Sequence, residues 1–307
     1  MDRLEAMSIL VAVVEAGSFT GASRRLKIPL PTVSRKLADL EEHLGTRLLT
    51  RSTRRLTLTD AGTTYVVACK RILDEVGEAE RAAAGEHVVP KGELVITAPI
   101  VFGRLHVVPV VSEFLEMSPD IHVRMLLSDR NVHLLEDHID VALRIGTLPD
   151  SSLVATRVGS VRQVACGSPD YFAKHGVPQE PGDLANMPCV TFDVLGSPMT
   201  WAFTGGAKGR NLTVAVRSRL SVNTAEAALA AATVGVGVTR VLSYQAASAV
   251  QEGLLRIVLE AFEPAPLPVY LLHSTQGALP LKMRSFLDFA APRLRGRLAA
   301  GQVGVRA

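Results

Sequence analysis

Two prolines within three residues, Pro29 and Pro31, stand between two stretches of helical periodicity. Proline has no backbone N–H, so a helix tolerates it only in the first turn. The residues from Lys27 to Leu30 are therefore predicted to form a turn, and Pro31 to open a new helix. In that helix, apolar residues recur at intervals of four, three and four: Val33, Leu37, Leu40 and Leu44. This spacing predicts one buried stripe, and Gly45 ends the helix.

Two shorter helices are predicted before this turn and a hairpin after it. The first helix is indicated by the apolar spacing of Leu4, Met7, Leu10, Val11 and Val14 and is closed by Gly17. The second begins at Ser18, a favourable N-cap, and runs to Leu26. Leucines at 48, 49, 56 and 58 flank the basic turn 51–54, which predicts two short strands. The order is that of a helix-turn-helix followed by a wing.

Positive charge is concentrated in this part of the chain. Residues 18–59 contain nine basic and three acidic side chains, a net charge of +6, whereas the remainder carries −3. A cationic helix front fits the DNA major groove, and arginines on a wing can hold phosphates. The alternative is an ordinary three-helix core with a solvated basic face. The combination of turn, stripe and basic wing predicts double-stranded DNA as the partner.

A long helix is predicted from Thr59 to about Gly85. Apolar or small residues recur along it in a heptad pattern: Tyr65, Cys69, Ile72, Val76, Ala79 and Ala83. Such a seam predicts pairing with a second copy of the same helix, with Tyr65, Cys69, Ile72, Val76 and Ala79 as dimerisation residues. Packing of the seam against its own domain is the alternative.

A boundary is predicted at 87–92, and beyond it apolar strand-like runs alternate with helical ones. The predicted strands are Leu94–Ala98, Ile121–Leu127, Val141–Ile145, Val161–Cys166, Val190–Phe192, Leu220–Val222, Val234–Val238, Leu254–Val258 and Val269–His273. The predicted helices are Val108–Met117, Asn131–Asp137, Thr224–Thr233, Leu242–Val250 and Lys282–Leu294. This alternation predicts parallel α/β sheets. A tail containing Arg293, Arg295, Arg297 and Arg306 has no acidic residue and is predicted to fray.

The domain organisation follows from these elements. A winged helix-turn-helix occupies 1–59, a linker helix 60–88, and a ligand-binding region 92–300. The last is predicted to form two α/β lobes, one from 92–161 with 267–300 and the other from 162–266. A cleft between two such lobes favours a small ligand.

Motifs of catalysis are absent from the sequence. There is no phosphate-binding loop, no HExxH, no CxxC and no GxSxG. Gly235 and Gly237 make half of a dinucleotide fingerprint, but Arg240 takes the place of the third glycine, so a tight strand–helix turn explains them better. His133 and His138 have the wrong spacing for one helical face. The prediction is a protein that is not an enzyme and has no metal or cofactor.

Polar groups follow the predicted strands, where helix N-termini offer free N–H groups to anions. The candidate ligand-binding residues are Ala98, Pro99, Ile100, Val101, Ser128, Arg144, Gly146, Thr191, Asn223 and Thr224. Hydroxyls, amides and an arginine suit a small carboxylate or similar polar metabolite. Ser128 and Thr191 are equally well explained as helix caps.

The chain resembles a LysR-type transcriptional regulator over nearly its whole length. The resemblance is carried by FTGASRRL, PTVSRKLADLEEHLGTRLLTRSTRRLTLTDAG, GELVITAP, LLSDR, DVALRIG and GVGVTRVLSY. It implies an effector domain like a type II periplasmic binding protein, a homotetramer built as a dimer of dimers, and binding to imperfect inverted repeats near promoters. The implied DNA-binding residues are Ser18, Thr20, Leu30, Pro31, Thr32, Ser34, Arg35, Lys36, Arg51, Arg54 and Arg55. The chain departs from the common pattern at Lys27, where glycine is frequent, and at Leu30, where a polar residue is common.

We therefore predict a ligand-responsive DNA-binding regulator with RNA polymerase as a further partner. The three scattered cysteines fit a reducing compartment, and no signal peptide or apolar span of membrane length is visible, so a cytoplasmic location is expected. Two other classes remain open: an enzyme with a DNA-binding appendage, and a structural DNA binder that needs no ligand.

Overall fold

The computed structural model describes residues 1–51, 56–83, 89–130, 134, 137–148, 153–192, 200–205, 210–274 and 279–303. The chain forms two compact units, Met1–Val89 and Pro90–Ala307.

The first unit contains the predicted helices and hairpin. Its elements are α1 (Arg3–Glu15), α2 (Phe19–Leu26), α3 (Leu30–Leu44), β1 (Leu49–Arg51), β2 (Leu56–Leu58) and α4 (Asp60–Ala83). Helix α3 begins one residue before Pro31, because the Pro29 carbonyl accepts hydrogen bonds from the N–H groups of Thr32 and Val33. Strands β1 and β2 pair antiparallel, with Leu49 opposite Leu58.

The predicted stripe of α3 is the centre of this unit's core. Val33, Leu37 and Leu40 are fully buried against Ile9, Leu10 and Val13 of α1, and Leu44 is half-buried. The turn before α3 requires left-handed backbone at Lys27, where φ is 56°. Glycine would adopt that conformation without the steric cost that a side chain carries.

Hydrogen bonds of Thr59 connect the first turn of α4 to the segment that precedes β1. Thr59 Oγ1 donates to the Arg47 carbonyl at 2.7 Å and accepts from the Gly62 N–H at 2.9 Å. At Gly62 the backbones approach so closely that a Cβ atom would lie 2.0 Å from the Leu48 carbonyl oxygen. The start of α4 is thereby fixed against the residues that precede β1.

The heptad seam of α4 is divided between two environments. Cys69 is fully buried with Val66 in the core of its own unit, and Tyr65 is half-buried there. The prediction that Cys69 contacts a partner copy is therefore wrong, because the first turns of α4 pack on α1. Ile72 and Val76 are half-buried and Ala79 is exposed.

The second unit begins with a lobe built on a five-stranded sheet. Its elements are β3 (Gly92–Ala98), α5 (Ile100–Phe102), a π-helical turn (Gly103–Val107), α6 (Val108–Met117), β4 (Ile121–Leu127), β5 (Val141–Ile145) and β6 (Val154–Val161). The other lobe contains β7 (Gln163–Gly167), α7 (Pro169–His175), β8 (Pro188–Phe192), β9 (Thr200–Gly205), β10 (Arg210–Ala215), β11 (Arg217–Val222), α8 (Ala225–Thr233), β12 (Val238–Leu242), α9 (Ser243–Gln251) and β13 (Arg256–Val258), with 3₁₀ turns at Pro181–Asn186 and Glu260–Phe262. The chain returns through β14 (Leu267–His273) and α10 (Leu281–Val303).

Both five-stranded sheets are mixed rather than purely parallel, which corrects the sequence prediction. The strand orders are β4-β3-β5-β14-β6 and β11-β8-β12-β7-β13. In the first sheet β14 runs antiparallel to β5 and β6, and in the second β7 runs antiparallel to β12 and β13. The reversed strands, β7 and β14, are the first strands after each passage of the chain between the lobes. Each enters its sheet from the side of the other lobe and therefore runs antiparallel to its neighbours.

Several element boundaries also differ from prediction. The strand predicted over Val161–Cys166 is interrupted at Arg162, where the chain passes from one lobe to the other. The strand predicted at Val234–Val238 lies instead at Val238–Leu242, because residues 234 and 235 form the turn after α8, with a φ of 80° at Gly235. A Cβ at Gly237 would lie 2.3 Å from the Pro188 carbonyl oxygen, so glycine at this position allows β12 to lie close to β8. Of the helix predicted at 131–137, only residues 134 and 137 lie within the described residues.

The C-terminal arginines are ordered by tertiary contacts. Arg293 pairs with Glu113 at 3.0 Å and lies over the Phe289 ring. Arg295 and Arg297 donate to the carbonyls of Arg157 and Leu105. The prediction that this segment frays is therefore wrong up to Arg297, because α10 packs on β6 and α6; Arg306 lies outside the described residues.

We expect Gly62→Ala to lower the free energy of unfolding by about 1–3 kcal/mol, since the added methyl group would overlap a backbone carbonyl that cannot move freely. Thermal and denaturant unfolding measure the loss. The matched control is Gly296→Ala in α10, where no atom lies within 4 Å of the new Cβ. That exchange should stabilise its helix by up to about 1 kcal/mol. An unchanged stability of the Gly62 variant would contradict the close approach.

Candidate DNA interface and ligand cleft

The front of α3 is polar and cationic, opposite its buried stripe. Arg35 and Pro31 are exposed, Thr32 and Ser34 are half-buried, and Leu30 keeps 40% of its surface exposed at the first residue of the helix. Because Val33, Leu37 and Leu40 are completely buried, α3 cannot rotate to hide this front. A helix presented in this way has the dimensions and the donors to enter a major groove.

The start of α2 completes the same helix-turn-helix. Ser18 Oγ accepts a hydrogen bond from the Gly21 N–H at 3.0 Å, so the predicted N-cap is confirmed. Thr20 is exposed in the first turn. Ser23 Oγ donates to the Ile28 carbonyl at 2.6 Å and fixes the turn that leads to α3. The turn geometry is thus set by side-chain hydrogen bonds as well as by the two prolines.

Ion pairs divide the basic residues of this unit into two groups. Lys36, predicted at the DNA surface, is paired with Glu5 of α1, and Arg25 is paired with Glu15 at 2.8 Å. The prediction for Lys36 is therefore corrected: its ammonium group is directed to α1. Within residues 18–47, four cations are exposed and make no ion pair with a described residue: Arg24, Lys27, Arg35 and Arg47.

The base of the wing is attached to α3 by a residue that sequence reasoning missed. Glu41 Oε1 accepts hydrogen bonds from the N–H groups of Leu48 and Leu49, at 2.7 and 3.0 Å. Arg51 lies in β1, and its side chain, like Arg54 and Arg55 as a whole, falls outside the described residues. Asp39, Glu41 and Glu42 are the three acids of this basic segment, and nothing in the sequence singled out Glu41 among them.

Several of the candidate ligand residues already bond within the protein. Ser128 Oγ accepts from the Arg130 N–H, and Thr224 Oγ1 accepts from the Ala227 N–H as the N-cap of α8. The hydroxyls of Thr191 and Ser218 lie 2.7 Å apart. The N–H of Ile100, expected to be free for an anion, donates to Asp129 Oδ1 at 3.1 Å. Of these residues Thr224 is a helix N-cap, whereas Ser128 accepts from the N–H two residues further on and Thr191 bonds to another side chain.

The remaining candidates lie at the same strand ends. Ala98 is buried, Pro99 is the N-cap of α5, Val101 is buried, and Asn223 is exposed. Gly146 has a φ of 109° and donates its N–H to the Pro268 carbonyl at the end of β5.

Two partly buried arginines place positive charge near these ends, one in each lobe. Arg144 of β5 is half-buried opposite Tyr270 of β14, and burial lowers its pKa. Arg240 of β12 bonds to Gln163 at 2.6 Å and lies over the Phe203 ring, and burial lowers its pKa to about 10. Sequence reasoning noted Arg240 only as an interruption of a glycine motif. A guanidinium withdrawn from water gains more from an anionic ligand than an exposed one.

The described residues show neither an activated cysteine nor a cluster that could bind a metal. Cys69, Cys166 and Cys189 are buried, and burial raises their pKa, to about 11 for Cys69 and about 12 for the other two. Among the described residues, no cluster of His, Cys, Asp and Glu could hold a metal ion. None of the described helices combines the length and apolar character needed to cross a membrane.

The architecture matches known proteins along nearly the whole chain. Residues 4–63 match the family model for bacterial regulatory helix-turn-helix proteins of the lysR family, and residues 87–295 match the LysR substrate binding domain. A transcriptional regulator from Xanthomonas campestris is 35% identical over 93% of this chain and 84% of its own length. The transcriptional activator AaeR of Escherichia coli K12 is 30% identical, over 94% of this chain and 93% of AaeR.

Solved structures give the same result. CrgA from Neisseria meningitidis, a LysR-type transcriptional regulator, is 32% identical, with a TM-score of 0.60 over 94% of this chain and 98% of CrgA. A helix-turn-helix unit joined to a two-lobed α/β unit defines a one-component transcriptional regulator. The chain belongs to the LysR family of transcriptional regulators. Its function is DNA-binding regulation that responds to a ligand, and its resemblance to that family is confirmed.

Proposed function

We propose that the protein binds inverted-repeat promoter DNA through α3, with Ser18, Thr20, Leu30, Pro31, Thr32, Ser34 and Arg35 at the groove and Arg51, Arg54 and Arg55 on phosphates. The observation that carries the proposal is the exposed front of α3, whose opposite side is completely buried. Leu30 stands at the N-terminal end of this front, where an apolar side chain suits the methyl group of thymine. The exposed cations Arg24, Lys27 and Arg47 add sequence-independent attraction to the duplex.

Self-association places two such fronts on one operator. Ile72, Val76 and Ala79 of α4 form the part of the seam outside the core of the unit, and two copies pairing there match a two-fold symmetric site. Two such dimers associate into a tetramer in this proposal. The tetramer acts in the cytoplasm, and RNA polymerase is its further partner.

The proposed effector is a small carboxylate bound at the strand ends between the lobes. Arg144 and Arg240 support this class because each is a partly desolvated cation, and they belong to different lobes. A ligand that binds both lobes favours one lobe arrangement over another. The DNA-binding units then respond through a population shift rather than through any chemical step.

Arg35→Ala should weaken binding to the operator by about 1–3 kcal/mol if Arg35 reads a base edge. Fluorescence anisotropy on operator and on random DNA measures the difference. The matched control is Lys36→Ala, the adjacent cation, which is paired with Glu5 and should change operator affinity much less. Equal losses for Arg35→Ala on both DNAs would assign Arg35 to phosphate binding instead.

Ile72→Asp should dissociate the dimer, because it places an unpaired carboxylate in an apolar seam. Sedimentation velocity reads the oligomeric state. Arg71→Asp introduces the same carboxylate at the preceding residue, which is exposed. It removes a surface ion pair with Glu75 at 3.9 Å, which contributes little, so it should leave the dimer intact. A wild-type sedimentation coefficient for the Ile72 variant would rule out self-pairing through α4.

Small carboxylates from a metabolite panel should raise the melting temperature of the wild-type protein, since a ligand of the folded state stabilises it. Arg144→Gln should remove the shift. Arg157→Gln, at an exposed arginine of β6, which β14 separates from β5, should retain it. A full shift in the Arg144 variant would exclude Arg144 from the effector site.

A further inference from the structure

The chain passes between the two lobes of the α/β unit twice, at two crossings of different length. The first crossing is the single residue Arg162, between β6 and β7. The second crossing is the segment 259–266, between β13 and β14. The two crossings lie side by side, because β6 pairs with β14 in one sheet and β7 pairs with β13 in the other. A change in the lobe arrangement therefore alters the backbone at these two places.

The backbone of the first crossing is held by the start of α9. The Arg162 carbonyl accepts a hydrogen bond from the Ser243 N–H at 2.9 Å, and the Arg162 N–H donates to Ser243 Oγ at 3.3 Å. Ser243 is the first residue of α9, in the second lobe. A crossing of one residue, held in this way, has little freedom to lengthen. A rotation of the lobes therefore displaces the second crossing relative to Arg162.

The second crossing begins as part of the second lobe. Leu259 is buried in the core of that lobe, with a φ of 61°, and Phe262 packs against the same core. Glu260 opens the 3₁₀ turn between them, and Glu263 is its C-cap. The backbone at both acids is thus fixed on the second lobe. Two prolines, at 264 and 266, stiffen the remainder of the crossing because their rings fix φ.

The side chain of Arg162 connects the two crossings through both acids. Nη1 of Arg162 lies 3.5 Å from Glu260 Oε2, and Nε lies 3.5 Å from Glu263 Oε2. A charge-assisted N–H···O bond is usually about 2.7–2.9 Å long. One guanidinium is therefore shared between two carboxylates and binds neither of them closely.

The two atoms that would complete a closer pair are both buried. No described residue hydrogen-bonds to Arg162 Nη2 or to Glu263 Oε1. Nε and Nη2 form the edge of a guanidinium that binds both oxygens of one carboxylate through parallel hydrogen bonds. Only 11% of the Glu263 side chain is exposed, so little water can replace the missing bond. Burial raises the pKa of Glu263 although Arg162 lies beside it, as expected for a carboxylate whose charge is incompletely compensated.

We propose that Arg162 sets the arrangement of the two lobes by exchanging between two pairings. In this structure it is shared between Glu260 and Glu263. In the second arrangement the crossings lie closer together, and Arg162 forms two parallel hydrogen bonds with Glu263 alone. Glu260, whose side chain is 55% exposed, then returns to water at little cost. The lobes have two discrete positions because the guanidinium has two discrete sets of partners.

The exchange of partners makes the lobes responsive to a ligand. One pairing replaces another, so the two arrangements differ little in free energy, and a ligand that favours one of them shifts the populations. This consequence rests on the proposed function, in which an effector binds between the lobes. The exchange itself needs neither effector nor DNA and is measured without them.

Double electron–electron resonance between spin labels in the two lobes measures the arrangement in the full chain. Lys174→Cys in α7 and Arg284→Cys in α10 provide exposed attachment points, one in each lobe. The three native cysteines are buried and do not compete for the label. Labelled chain is mixed with an excess of unlabelled chain, so that the distances measured lie within one molecule.

The wild-type protein should show one main distance and one minor distance. Glu260→Gln removes the competing carboxylate and should raise the ratio of the minor to the main population about fivefold. Glu263→Gln removes the acid of the closer pair and should leave the main distance alone. Arg162→Lys keeps the positive charge but cannot form two parallel bonds, so it should give the same result as Glu263→Gln.

The matched control is Glu252→Gln, at an exposed acid of the same lobe that accepts a hydrogen bond from Ser248. It should keep the wild-type distances. Because Glu260 is exposed, Glu260→Gln should fold, and an unchanged melting temperature verifies this. An unchanged population ratio in Glu260→Gln would overturn the proposal, as would a shift of Glu260→Gln and Glu263→Gln in the same direction. Either result leaves operator binding and effector binding, which are measured separately, unaffected.

Discussion

The complete burial of one stripe of α3 is the constraint on which the DNA-binding half of this protein depends. Val33, Leu37 and Leu40 lose all contact with water against α1. Exposing any of them would cost roughly 1.5–3 kcal/mol, so the helix has one stable rotation. The position of Arg35 on the opposite side is a consequence of that packing. Glu41 and Gly62 extend the constraint to the wing and to the linker helix.

The α/β half depends on a different constraint, the crossing of the chain between two sheets. Arg162 lies at the first crossing and pairs with Glu260 and Glu263, at 3.5 Å each, close to the return strand. The two crossings make both sheets mixed, and α5, α9 and α10 meet on one side of them.

Prediction succeeded where local rules are strong and failed where tertiary contacts override them. The two prolines and the apolar spacing located α2 and α3 to within a residue. The heptad pattern located α4 but assigned Cys69 to the wrong neighbour, because periodicity predicts which face of a helix is buried but not which surface covers that face. The arginines of α10 were judged by their charge alone, although Glu113 and two backbone carbonyls hold them. Strands β6, β9 and β10 and helix α7 were missed because their apolar runs are short or interrupted.

The sequence by itself determined the order of elements, the cationic front of α3 and the membership of the two halves in one family of regulators. The order of elements and the cationic front follow from periodicity, proline chemistry and charge, which act over a few neighbouring residues, whereas the family is shown by the sequence motifs that the chain shares with its relatives. Only the tertiary structure decided that Lys36 faces Glu5, that Ser128 and Thr224 cap their own turns, and that Arg162 meets Glu260 and Glu263 between the lobes. Arg162 lies 98 residues before Glu260 in the chain, and their meeting depends on how two mixed sheets are connected, which no local pattern encodes.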